Sequence, residues 1–110
     1  MLKRALSNAH SLYSLTQGQF GQPLEVAKLF KNKKNGFFIE AGAYDGEKFS
    51  NTLLFETTLN WNGILIEPNP KYFEDLLNKN RKAYAIKTCL STKAQVTEVT
   101  FDAAGTVDEI

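Results

Sequence analysis

Apolar positions along the chain fall either at helical spacing or in short uninterrupted runs. Val26, Leu29 and Phe30 repeat at intervals of three and four residues after a proline, which is typical of a helix that begins with that proline. Residues 37–41 and 64–66 are short apolar runs without alternation. Strands of this kind are expected to be covered on both faces of a parallel sheet.

Cap and turn residues predict two further helices. One is expected over residues 50–60, with Ser50 or Asn51 as its cap. Asn69 and Pro70 suit the cap and the first position of the next helix. The apolar stripe of that helix is predicted to be Phe73, Leu76 and Leu77.

The order of these elements predicts the fold class. Residues 1–16 are predicted to be an N-terminal helical segment, and residues 17–110 a single domain. Further strands are predicted within residues 83–90 and 95–101. Strands that alternate with helices indicate an α/β fold with a parallel sheet and right-handed crossovers.

Composition narrows the class of protein. With 110 residues, of which 43% are hydrophobic and 23% charged, the chain suits one small globular domain. A net charge of +1 gives no broad field that would attract nucleic acid or anionic lipid. We see neither a signal peptide nor an apolar run of the roughly 18 residues that a membrane span needs, so a cytoplasmic location is the default expectation. His10 has no partner acid or cysteine beside it, so no metal site is predicted.

The stretch GFFIEAGAYDG, residues 36–46, carries the candidate chemistry. Gly42 and Gly46 follow the first strand, where missing side chains would let a negative ligand reach backbone N–H groups. Glu67 ends the second strand, where an acid can accept the hydroxyl hydrogens of a ribose, and we expect it to be solvated without ligand. The alternatives are a tight turn with nothing bound, and for Glu40 a buried acid satisfied by backbone donors.

The glycine spacing selects among nucleoside ligands. A dinucleotide fingerprint counted from Gly42 would need glycine where this chain has Tyr44 and Glu47, which disfavours a nicotinamide-dependent oxidoreductase. The observed spacing, Glu40-x-Gly42-x-x-x-Gly46, resembles the first motif of Rossmann-like methyltransferases that bind S-adenosyl-L-methionine.

The resemblance extends over roughly residues 17–101. The segments that carry it are GQFGQPLEVAKLF, NGFFIEAGAYDGEKFSNTLLFE, WNGILIEPNPKYFEDLL and KTCLS. Together they are similar to the FkbM family of methyltransferases, in particular the animal branch that includes Star-like membrane-trafficking proteins. The resemblance implies the N-terminal half of a Rossmann-like methyltransferase fold. The cofactor-binding residues that it implies are Glu40, Gly42 and Gly46 at the methionine, Glu67 at the ribose, and Cys89 and Leu90 near the adenine.

The resemblance also implies what this chain does. It indicates O-methylation of an unknown acceptor, or the cofactor-binding half of such an enzyme, because the acceptor-binding half and a catalytic base have no counterpart here. The alternative is a non-catalytic methyltransferase-like module that binds a protein partner. An incomplete sheet would leave residues 37–39 on an open edge, from which we expect self-association. Cys89 is otherwise expected to be a small core residue.

Overall fold

The computed structural model describes residues 21–96, 98 and 100. Within them, helices and strands alternate along the chain. The elements are α1 (Gln22–Leu29), β1 (Phe37–Ala41), α2 (Leu53–Thr58), β2 (Asn62–Ile66), α3 (Pro70–Asn78) and β3 (Tyr84–Ile86). The predicted helical segment 1–16 lies outside the described residues. Of the predicted strand 95–101, the described residues (95, 96, 98 and 100) are not in a strand.

The three strands form one parallel sheet in the order β1-β2-β3. Ile39 of β1 lies beside Ile64 of β2, and Ile64 lies beside Tyr84 of β3. The α/β class with a parallel sheet is therefore confirmed. β3 is shorter than the predicted 83–90, because only residues 84–86 pair with β2.

Burial of β1 is one-sided. Phe38 and Glu40 of β1 are buried, whereas Phe37 and Ile39 are 57% and 65% exposed. The prediction that this strand is covered on both faces is therefore wrong. The reason is that the three helices contribute to one core, with Phe38 and Leu65 of the sheet. The helices contribute Ala27, Phe55 and Leu76 to this core.

Close approach of Trp61 explains the glycine at position 36. A Cβ atom at position 36 would lie 2.4 Å from the ring of Trp61. The Trp61 indole N–H donates to the Lys33 carbonyl oxygen at 2.7 Å. A glycine therefore lets the indole pack against the chain that leads into β1.

The second helix is shorter than the predicted span 50–60. It begins after Thr52, whose side chain makes no cap hydrogen bond. The Ser50 hydroxyl oxygen instead accepts from the backbone N–H groups of Thr52 at 3.3 Å and Leu53 at 3.2 Å. The predicted cap residue therefore does satisfy the start of α2, although from outside the helix.

The third helix begins as predicted. Asn69 is its cap, and its side-chain oxygen accepts from the Lys71 N–H at 3.0 Å. Leu76 is buried in the core, but Leu77 is exposed, so the prediction that Leu77 belongs to the apolar stripe is wrong. Leu77 lies about 100° around the helix from Leu76, at the margin of the apolar stripe, and this margin extends beyond the core that buries Leu76.

Candidate functional site

The carboxyl ends of β1 and β2 meet at one edge of the sheet. Ala41 is in register with Ile66, the last residue of β2. Just beyond them, the Ala43 N–H donates to the Ile66 carbonyl at 2.9 Å, and the Tyr44 N–H donates to Glu67 Oε1 at 2.7 Å. The two motifs singled out in the sequence are therefore in direct contact.

Glu67 is fully buried, with 0% of its surface exposed. Its second carboxylate oxygen accepts from the Asn69 N–H at 2.8 Å. The expectation that this side chain is solvated without ligand is wrong. The physical reason is that backbone donors from the loop after β1 and from the start of α3 replace water around the carboxylate.

Glu40 is also buried, and its carboxylate ties β1 to the start of α2. Oε1 accepts from the Asn51 N–H at 2.7 Å, and Oε2 accepts from the Thr52 hydroxyl at 3.1 Å. The Ser50 hydroxyl lies 3.3 Å from both oxygens. Burial raises the pKa of Glu40, while the Asn51 N–H, the charge of Arg81 and the two hydroxyls act in the opposite direction. This geometry agrees with the reading of Glu40 as a buried acid satisfied by nearby donors.

A polar cavity of about 130 Å³ opens at the end of β1. It is lined by residues 40–44 and 48–51. Whole small-molecule sites usually measure roughly 300 to 1,000 Å³. The cavity in this structure therefore has room for one end of a cofactor rather than for all of it.

The two glycines of the motif have different surroundings. Gly42, with φ of 71°, is exposed and lines the cavity. Gly46, with φ of 81°, is buried, and a Cβ atom there would lie 2.4 Å from Leu76 Cδ1. The structure therefore brings Glu40 and Gly42 to one cavity, whereas Gly46 serves the packing of the loop against α3.

The residues predicted near an adenine lie past the end of β3. Cys89 is half-buried and Leu90 is exposed. Neither lines the cavity at the end of β1. Cys89 is also absent from the core cluster, so the expectation that it is a small core residue is not met.

Sequence reasoning missed the buried ion pair between Arg81 and Glu56. Arg81 Nε lies 3.1 Å from Glu56 Oε2, and the two side chains are 4% and 0% exposed. The guanidinium also donates to the Gly46 carbonyl at 2.7 Å, to Ser50 Oγ at 3.2 Å and to Thr52 Oγ1 at 3.1 Å. Arg81 therefore holds the whole loop between β1 and α2. One feature of the sequence could have indicated Glu56, because it is the one charged residue in the segment LLFETTL, residues 53–59.

Two aromatic residues of the cavity lining have an unusual backbone conformation. Tyr44 and Phe49 have φ of 58° and 59°, a region that bulky residues rarely adopt. The Tyr44 ring packs edge-on against Tyr72, with the centroids 4.4 Å apart. Partial burial, followed by the nearby Tyr72 and the acidic groups of Asp45 and Asp75, raises the pKa of Tyr44. Strained residues of this kind cluster at binding sites.

Comparison with known proteins found no matching family model, no matching curated protein and no matching solved structure.

In the described part of the chain, no helix has the length and apolar character needed to cross a membrane. Residues 21–96, 98 and 100 contain no group of three or more histidine, cysteine, aspartate or glutamate side chains that could hold a metal ion.

Proposed function

We propose that this chain binds S-adenosyl-L-methionine as a Rossmann-like methyltransferase, or as the cofactor-binding half of one. The observation that carries the proposal is the polar cavity at the carboxyl end of β1. Tyr44 lines this cavity, and its backbone N–H donates to Glu67. In open α/β sheets, ligands bind outside the carboxyl ends of the strands. The motif spacing supports this cofactor over a dinucleotide, and the FkbM resemblance supports O-methylation.

The size and polarity of the cavity fit the amino-acid end of the cofactor. Backbone groups around Gly42 are accessible there, and Lys48 supplies a positive charge beside them. These groups suit a carboxylate. In the bound state, the chain would hold the sulfonium methyl in line with an incoming nucleophile, which is the main requirement of methyl transfer.

Ribose binding by Glu67 requires a local rearrangement. Both of its oxygens already accept backbone hydrogen bonds and no part of the side chain is exposed. Outward movement of the loop at Tyr44 would release Oε1 for one ribose hydroxyl, and Oε2 has a second lone pair for the other hydroxyl beside its bond from the Asn69 N–H. The loop is the element to move, because Tyr44 has a strained backbone.

Glu67 is fully buried and both of its carboxylate oxygens already accept hydrogen bonds. This favours a second function, a non-catalytic methyltransferase-like module that binds a protein partner. In such a module the carboxylate would be a permanent structural bridge between β1 and α3. The exposed apolar face of the sheet would then be available to a partner.

Calorimetric titration with S-adenosyl-L-homocysteine and with NAD tests the proposal. We expect S-adenosyl-L-homocysteine to bind and NAD to bind more weakly or not at all. Phe49→Ala, which removes one wall of the cavity, should weaken binding by about tenfold. Tyr84→Ala, an exposed aromatic residue on β3, is the matched control and should bind as the parent chain does.

Tighter binding of NAD would overturn the proposal. Binding of neither compound to a folded chain would favour the non-catalytic module. Equal weakening by Phe49→Ala and Tyr84→Ala would show that the ligand does not enter the cavity at the end of β1.

A further inference from the structure

The outer edge of β1 carries backbone groups without a partner in the described residues. The sheet order leaves β1 with β2 as its one neighbour. Asn62 N donates to the Gly36 carbonyl at 3.1 Å, and Phe37 is in register with Asn62. Alternate residues of a parallel strand bond to the same neighbour, so Phe38 and Glu40 direct their N–H and C=O groups to β2. The residues whose groups point to the open edge are Phe37, Ile39 and Ala41.

In the described residues, this edge lacks a proline, a bulge and a charged side chain on its exposed face. Charged side chains, prolines and bulges usually prevent pairing with another chain. The one charge in β1 is Glu40, which is buried on the helix side and hydrogen-bonded there. The other face of β1 presents Phe37 and Ile39, both more than half exposed.

We propose that β1 pairs antiparallel with β1 of a second copy, about a two-fold axis at Ile39. The strand sequence FFIEA is self-complementary in this register. Phe37 lies opposite Ala41, Phe38 lies opposite Glu40, and Ile39 lies opposite itself. The exchanged hydrogen bonds satisfy the outward N–H and C=O groups of Phe37, Ile39 and Ala41 on both copies. No like charges face each other.

Charges at the two ends of the strand select the antiparallel arrangement. Residues 31–34 precede β1 and contain three exposed lysines and no acid. The loop after β1 carries Asp45 and Lys48, together with Glu47, whose carboxylate pairs with the Lys79 ammonium at 3.2 Å. Antiparallel pairing brings the lysines of one copy beside Asp45 of the other and keeps the two sets of lysines apart. A parallel pairing would bring the lysines of the two copies together, which is unfavourable.

Sedimentation of the full chain across a wide concentration range tests the proposal. We expect a monomer–dimer equilibrium at micromolar concentration. Ile39→Lys and Ile39→Glu each put two like charges directly opposite each other at the axis, and each should weaken dimerisation by about tenfold or more. Ile86→Lys on β3 is the matched control, because Ile86 is 45% exposed on the same face and lies away from this edge. It should dimerise normally.

Mixing the two Ile39 variants tests the register. Since position 39 faces position 39 of the second copy, the lysine and glutamate chains should form a heterodimer when mixed. Amide hydrogen exchange of the unmodified chain gives a second measurement that needs no variant. The N–H groups of Phe37, Ile39 and Ala41 should gain protection as the concentration rises, while that of Phe38 stays protected throughout.

A chain that stays monomeric at all concentrations would overturn the proposal. Equal loss of association in Ile39→Lys and Ile86→Lys would assign the contact to the sheet face instead of the edge. A mixture of the Ile39→Lys and Ile39→Glu chains that remains monomeric would refute the register. All of these outcomes are independent of whether S-adenosyl-L-methionine binds.

Discussion

The Tyr44 N–H donates to Glu67 Oε1 at 2.7 Å, joining the loop after β1 to the end of β2. The same carboxylate accepts from the Asn69 N–H with its other oxygen. One side chain therefore fixes the relative positions of the two motifs and the start of α3. This bridge makes Glu67 a structural residue in the ligand-free chain, whatever it does when a ligand is bound.

We expect Glu67→Ala to destabilise the chain by about 2 to 4 kcal/mol, because two buried N–H donors lose a charged acceptor. Glu67→Gln should also destabilise, since one of its two carboxamide positions would present an N–H group to a backbone N–H. Urea unfolding measures both. Glu74→Ala is the control, because Glu74 is exposed on α3 and should change the free energy of unfolding little. An unchanged midpoint for Glu67→Ala would contradict the bridge.

The two glycines should respond differently to a side chain. Gly46→Ala places a methyl group against Leu76 and also strains a positive φ, so it should destabilise more than Gly42→Ala, which strains a positive φ at an exposed position. Gly42→Val should instead abolish S-adenosyl-L-homocysteine binding by filling the cavity. Thermal melting and calorimetry separate the two effects. Normal binding by a folded Gly42→Val chain would mean that this stretch is only a turn.

The sequence predicted the α/β class and the parallel sheet because helical spacing and short apolar runs alternate clearly. It also predicted the Asn69 cap, whose signal is local. It could not predict that Phe37 and Ile39 are exposed. An apolar strand without alternation looks the same whether one face or both are covered, and only the placement of the helices distinguishes the two cases.

The candidate site was predicted by its motifs, but not in its internal contacts. Glu40, Gly42 and Glu67 were correctly expected to lie at the carboxyl ends of the first two strands. The hydrogen bonds from Tyr44 and Asn69 to Glu67 come from backbone N–H groups. Every residue except proline has such a group, so the sequence does not indicate which of them will bind the carboxylate. The ion pair of Arg81 with Glu56 joins residues far apart in the chain, so the acid in LLFETTL could draw attention to Glu56 but no local pattern could identify Arg81 as its partner.

Stability should depend on pH through Glu40. Burial raises its pKa in the folded chain, so the folded state holds the proton more tightly than the unfolded state. The contribution of Glu40 to stability is then greatest below the ordinary value of 4.5 and falls as pH rises from there through the pKa of the folded state. Glu40→Gln has no such titration. The free energy of unfolding of the parent chain, minus that of Glu40→Gln, should therefore decrease over this window.

Urea unfolding at a series of pH values, on both chains in parallel, gives that difference. Other titrating groups cancel because they are common to the two chains. A difference that is independent of pH would show that the charge of Arg81 and the hydrogen bonds from Asn51, Ser50 and Thr52 balance burial at this carboxylate, and one that increases with pH would show that they outweigh it.

The ion pair between Arg81 and Glu56 should be the most sensitive point in the described part of the chain. Arg81→Met leaves the Glu56 carboxylate buried without its cation and removes the donors that hold the loop at Gly46, so it should destabilise by about 3 to 5 kcal/mol. Lys82→Met is the control, because the Lys82 ammonium makes only an exposed contact with Asn60. Glu56→Gln combined with Arg81→Met removes the stranded charge and keeps an acceptor oxygen for one of the two N–H groups, that of Lys82 or that of Ala83. The double variant should therefore be more stable than Arg81→Met alone. If the losses of unfolding free energy measured for Glu56→Gln alone and for Arg81→Met alone simply add in the double variant, the two residues are not coupled, which would contradict the ion pair.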